Sequence, residues 1–101
     1  MRPAEVRAVL DRARPLHGDR VILFLAPGSG RVAAVAGRVV GGAVERNRAR
    51  RVLRAAWRAV EPRVAPNHDV VLVARRGIRG AKAQDLVTEV GELIERAGAG
   101  R

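Results

Sequence analysis

Arg46, Arg50, Arg54 and Arg58 recur every four residues within ERNRARRVLRAAWR, residues 45–58. Arg51 falls beside them, Arg48 lies off their edge, and no acid stands among the six. A four-residue step keeps side chains on one side of an α-helix, so these guanidinium groups share a face. Like charges at that spacing repel and weaken a helix. Folding alone gives no reason to gather them. A polyanion does, because phosphates recur densely along folded RNA and each neutralised phosphate releases counterions. The ordinary alternative is a solvated face, which normally mixes signs. Arg46, Asn47 and Arg48 are expected in the first turn, where free backbone N–H groups and the helix dipole add to the attraction. Asn47 either bonds RNA or caps the helix, and its position does not separate the two.

Other groups could do chemistry and fit it poorly. His17 and His68 stand alone, without HxH or HExxH spacing, so no metal site is expected. His68-Asp69 could pair a base with its orienter, but the single serine, Ser29, lies in a turn. Asp69 reads as a polar boundary before a strand. Glu89, Glu92 and Glu95 share helical spacing, yet they lie opposite an apolar stripe, as a solvated face does. Gly28-x-Gly30-x-x-Ala33 resembles a dinucleotide loop, but an extended run follows where a helix should begin. A hairpin turn suits it better. No catalytic residue is expected in this chain.

The elements that must carry the arginine face follow from periodicity. Residues 3–13 predict a short helix, with Val6, Val9, Leu10 and Ala13 on one side. Residues 20–26 read as a strand apolar on both faces. Residues 31–40 read as a second strand, with Gly37 as the point at which a bend or bulge would divide it in two. Ala49, Val52, Leu53, Ala56, Trp57 and Val60 form the dry side of the arginine helix, which Pro62 and Pro66 close. Residues 69–74 predict a buried strand, 75–80 a basic loop and 82–97 a last helix. The expected architecture is α+β: helices on a small mixed sheet of three to four strands, in one domain spanning 1–101.

Charge agrees with a nucleic-acid partner. The net charge is +10. Residues 1–80 hold 17 basic against 6 acidic side chains, and residues 81–101 hold 3 against 4. A field of one sign over most of a small surface attracts a polyanion. An anionic membrane and simple solubility are the competing readings. Arginine outnumbers lysine nineteen to one, a bias that GC-rich coding also produces. The lack of cysteine excludes disulfides and thiolate zinc sites. No apolar run approaches ~20 residues, so no membrane span is expected, and the N-terminus lacks the apolar stretch of a secretory signal. A cytoplasmic location follows as the default.

The stretch GGAVERNRARRVLRAAWR, residues 41–58, resembles the signature of the bacterial ribonuclease P protein component. Gly41, Ala43, Val44, Arg46, Asn47, Arg48, Arg51, Leu53, Arg54, Trp57 and Arg58 match it. Arg50 replaces the usual lysine, and Gly42 the usual asparagine. The flanks EVRAVLDRARPLHGDRVILFLAP, RVAAVAGRVV and DVVLVARRG resemble the family's neighbouring elements, so nearly the whole chain is covered.

The resemblance implies the order αβββαβα with a left-handed βαβ crossover, against the general rule of handedness. It implies a protein subunit that binds ribonuclease P RNA and precursor tRNA, while the RNA removes the 5′ leader using bound magnesium. No cofactor bound by the protein alone, small-molecule substrate or membrane contact is implied. Arg46, Asn47, Arg48, Arg50, Arg51, Arg54 and Arg58, with Arg38 upstream, become the RNA-binding set. Val6, Arg7, Phe24 and Ala34 become the lining of a leader cleft between sheet and first helix. The family commonly carries an aromatic where Val6 stands and a large residue near Ala34, so a reduced leader grip is expected. The chain is also expected to lack the family's usual basic lead-in before the first helix. A stand-alone RNA- or DNA-binding module, including a ribosome-associated one, is the alternative. A protein-only hydrolase is the third reading, and no site meets its geometry test.

Overall fold

The computed structural model describes residues 1–101. Helix α1 spans Pro3–Arg12, with Pro3 opening its first turn. The Glu5 carboxylate accepts the Arg2 backbone N–H at 3.1 Å. Strand β1 spans Arg14–His17, β2 Val21–Pro27 and β3 Val32–Val35. Helix α2 spans Ala43–Val60. Strand β4 spans His68–Ala74 and helix α3 spans Ala83–Ala97.

The strands form one sheet in the order β1-β2-β4-β3. The β1/β2 and β2/β4 pairs are antiparallel, and β3/β4 is parallel. Helix α2 joins the two parallel neighbours, so the β3–α2–β4 crossover and the order αβββαβα are both present.

Residues alternate between the faces of the sheet, as the pleat requires. Val21, Leu23, Leu25, Ala34, Val70 and Leu72 enter the main core beneath α2 and α3. Ala26 and Val71 face the other way and pack with Val9 of α1. The continuous apolar run of β2 is therefore covered on both sides, but unequally. Ile22 and Phe24 stay half-buried, because α1 roofs only part of its face.

Two elements differ from the sequence reading. The third strand of the order comes from Arg14–His17, not from a division of residues 31–40. Pro15 sits in an edge strand, where a missing N–H costs little. The second half of 31–40 is a turn instead. The Val40 N–H donates to the Gly37 carbonyl at 3.1 Å and the Gly41 N–H to the Arg38 carbonyl at 3.1 Å. That turn drops Val40 into the core and leads the chain into α2.

A candidate nucleic-acid interface

Ala49, Leu53, Ala56, Trp57 and Val60 form the buried side of α2. Arg51, Arg54 and Arg58 are exposed on the other, with Arg46 and Arg50 half-exposed along its edge. None of the six arginines of this helix makes an ion pair. The carboxylate partners in the molecule go to Arg12, Arg20, Arg31 and Arg79. The charged side of α2 is thus uncompensated. Arg38 is exposed on the turn just before it.

The helix begins at Ala43, three residues before Arg46. Asn47 and Arg48 therefore lie in the second turn, not the first, and the open N–H groups of the helix end are not beside them. Asn47 is not the cap. Gly42 holds that position without a side-chain bond, and the Asn47 Oδ1 accepts a bond from the Arg50 guanidinium. Arg48 turns away from the stripe, and its Nη2 donates to the Ala81 carbonyl at 2.9 Å.

Sequence reasoning passed over one residue here. Val44 is 77% exposed, among charges. Its spacing of three and seven from Asn47 and Arg51 places it on their side of the helix. Only its place in the signature could have marked it.

On the α1 side of the sheet, Val6, Phe24, Ala33, Val35 and Val73 are partly buried around Val9, Ala26 and Val71. Arg7 is exposed on α1. Ala34, expected among these, points the opposite way and lies in the main core at 8% exposure. The alternation of β3 decides this: its residues on the α1 side of the sheet are Ala33 and Val35.

An ion cluster fixes α1 over this face. The Asp69 carboxylate is fully buried. Its Oδ2 lies 2.9 Å from Arg31 Nη2 and 3.1 Å from Arg12 Nη2. Its Oδ1 accepts the backbone N–H groups of Ser29 and Arg31 at 3.1 and 3.0 Å. Arg31 also bonds Glu5 on α1, and Arg12 reaches the Pro27 carbonyl at 2.6 Å. The Arg31 side chain, above all, holds the Asp69 pKa far below the usual carboxylate range. The Arg2 N–H, first, and then Arg31 lower that of Glu5. Asp69 is the hub of a cluster, not a simple strand boundary.

Glu89 also departs from the solvated-face reading. Its carboxylate accepts the Arg20 and Val21 N–H groups at 2.8 and 3.1 Å and pairs with the Arg20 side chain. It clamps the β1–β2 turn. His17 lies opposite Ile22 and His68 opposite Pro27, at the two ends of β2. His68 Nδ1 is 3.0 Å from the Ala65 carbonyl, a local contact.

Together the fold and this surface define a small basic α+β domain that presents a one-sided cationic helix. The family model described as Ribonuclease P matches residues 1–98. The chain belongs to that family. It is 41% identical over 95 residues to the ribonuclease P protein component of Symbiobacterium thermophilum, covering 94% of this chain and 80% of that one. The Herpetosiphon aurantiacus protein of the same name is 32% identical over 98 residues, covering 94% and 80%. Among solved structures, an RNase P protein mutant from Staphylococcus aureus with defective mRNA degradation activity superposes with a TM-score of 0.81 at 13% identity, covering 98% of this chain and 86% of that one. The RNase P protein from Thermotoga maritima gives 0.78 at 15%, covering 95% and 94%. At such identities these structures speak for the fold.

Proposed function

We propose that this chain is the protein subunit of ribonuclease P, binding the catalytic RNA and precursor tRNA to support endonucleolytic removal of the tRNA 5′ leader. One observation carries the reading. The α2 arginines meet no carboxylate of their own molecule, while the reverse side of the same helix seals the core. A surface left so cationic is complete only against a polyanion.

The protein lowers repulsion between two RNAs and holds the substrate in place. Hydrolysis stays with the RNA subunit, which carries the magnesium. Arg46, Arg50, Arg51, Arg54 and Arg58 take phosphates of the RNA subunit, and Arg38 extends them. The half-covered sheet face beside Val6, Arg7 and Phe24 takes the single-stranded leader, with Ala33 and Val35 in the place first given to Ala34. Phe24 is its sole aromatic, so stacking on leader bases is weaker than a richer aromatic floor gives. The work is done in the cytoplasm, and no helix is long and apolar enough to cross a membrane.

Reconstitution with ribonuclease P RNA at low magnesium tests this. Stimulated cleavage of precursor tRNA is the expected result. RNA binding without stimulation would point to a stand-alone binding module, and cleavage by the protein alone would revive a protein hydrolase. A cleavage rate that responds to leader length as strongly as a protein with an aromatic-rich cleft allows would contradict the weak leader grip.

A further inference from the structure

We propose that the basic loop of residues 75–82 is a second part of the surface that receives ribonuclease P RNA, and that Arg48 is the positioning residue that docks it on α2. The inference rests on the function proposed above and adds an element the signature does not contain.

The loop reads RRGIRGAK and holds four cations and no acid. Arg75, Arg76, Arg79 and Lys82 are all exposed. Solubility does not need four like charges in eight residues, where mutual repulsion opposes a tight turn. The loop is nonetheless held firmly. Ile78 is 1% exposed and belongs to the main core. The Arg75 N–H donates to the Arg20 carbonyl at 2.9 Å, and the Arg75 Nη1 to the Gly18 carbonyl at 2.8 Å. Gly77 passes so near the Asp19 carbonyl that an added Cβ would lie 2.8 Å from it. An apolar anchor flanked by cations holds the loop backbone in place before any partner arrives. Less conformational entropy is then lost on binding.

The loop also lies against α2. Arg48 Nη2 donates to the Ala81 carbonyl at 2.9 Å. Arg79 Nη2 stands 4.0 Å from Glu45 Oε1, at the outer limit of an ion pair. Glu45, Arg48 and Ala49 share one surface hollow with Ile78, Arg79 and Gly80. The cations of the loop therefore continue those of the first turns of α2. Arg76 and Lys82 have no carboxylate partner, and Asp85 accepts only the Lys82 backbone N–H. A field of cations spread across a helix and a backbone-anchored loop matches a folded RNA, whose phosphates spread over a surface, better than one extended strand. The partner is therefore the RNA subunit rather than the leader.

The test measures affinity of the full chain for ribonuclease P RNA across a salt series. Five variants are compared: Arg76→Ala and Arg76→Ala/Arg79→Ala in the loop, Arg50→Ala/Arg54→Ala on α2, Arg48→Ala, and Arg48→Ala added to the loop pair. The loop pair should lower the slope of log K against log salt by about 1.4–1.8, since each phosphate contact contributes about 0.7–0.9. Arg76→Ala alone, which breaks no contact within the protein, should lower it by about half as much. Arg48→Ala should cost clearly less in the loop-pair background than in the wild type, because it acts through the loop.

An unchanged slope in the loop variants with a reduced one in the α2 pair overturns this proposal alone. Unchanged slopes in both pairs overturn the function on which it rests. Full additivity of Arg48→Ala with the loop pair overturns the positioning role. Unchanged RNA-subunit affinity with weakened precursor binding by the assembled enzyme overturns the choice of partner.

Discussion

Arg31 Nη2 lies 2.9 Å from Asp69 Oδ2, and through this pair one side chain ties three elements together. Arg31 stands just before β3, Asp69 is in β4, and the same guanidinium bonds Glu5 of α1. The carboxylate is fully buried while the arginine side chain is 43% exposed. Burial of an acid is tolerable only when its oxygens are bonded, and here both are. Asp69→Asn keeps an acceptor oxygen but turns an NH2 group toward Arg12 or Arg31, setting donor against donor. Partial exposure of both arginines screens the loss. A destabilisation of about 2 kcal/mol is expected, read from the urea midpoint. A change below about 0.5 kcal/mol would mean that the cluster orders α1 without stabilising the fold.

The same residue sets an acid limit. Asp69 has a folded pKa depressed below its unfolded value of about 3.9, chiefly by the Arg31 side chain. Such a group adds stability that is fully present above the unfolded value and is lost as pH falls toward the folded one. Its contribution should therefore be level from neutrality to about pH 5 and decline below about pH 4. Glu5, bonded to Arg31 and also lowered, adds in the same direction. The difference between wild type and Asp69→Asn isolates the Asp69 share. That difference should shrink on acidification, and one that stays constant down to pH 2.5 would contradict the assignment.

Much of this molecule was legible from period and charge. The dry side of α2 was readable because Ala49, Leu53, Ala56, Trp57 and Val60 recur at the helical step within an eighteen-residue helix, long enough for the pattern to dominate. Strand β1 was not. Four residues with Arg14 and Pro15 at their head carry no apolar alternation, and only pairing with β2 makes them a strand. Ala34 was misplaced by one residue, which in a strand reverses the face. The Asp69 cluster escaped because its partners lie 38 and 57 positions away in sequence. One local trace existed: Gly28 leaves room for the Asp69 carboxylate, which a methyl group there would strike. In the sequence that glycine signals turn chemistry alone.

Stability and binding should move in opposite directions on the arginine face. Arg54 has like-charged neighbours at four-residue spacing on both sides, Arg50 and Arg58, and no carboxylate partner. Removing it relieves two repulsions of about 0.2–0.5 kcal/mol each and installs a better helix former. Arg54→Ala should therefore raise stability by about 0.5 kcal/mol at low salt, an increment that salt erases. Its affinity for ribonuclease P RNA should fall, with the salt slope lower by about 0.7–0.9. Thermal melts and a binding series on one preparation read both. Unchanged affinity beside the expected stabilisation would mark Arg54 as a solvated charge.

Trp57 tests the other side of the same helix. It is 5% exposed within the main core, and its Nε1 is buried with no protein acceptor in reach. A buried unpaired N–H costs about 1–3 kcal/mol, against which the indole contributes a large apolar surface. Trp57→Ala deletes that surface and leaves a cavity, so a loss of about 3–5 kcal/mol is expected. Trp57→Phe keeps most of the filling and removes the stranded donor, so the two effects nearly cancel. Its stability should stay within about 1 kcal/mol of wild type. Neither change touches the cationic side, so RNA affinity per folded molecule should be unaltered in the phenylalanine variant. A folded Trp57→Phe protein with weakened RNA binding would show that the indole meets the RNA directly, and that the two sides of α2 are not divided between core and ligand.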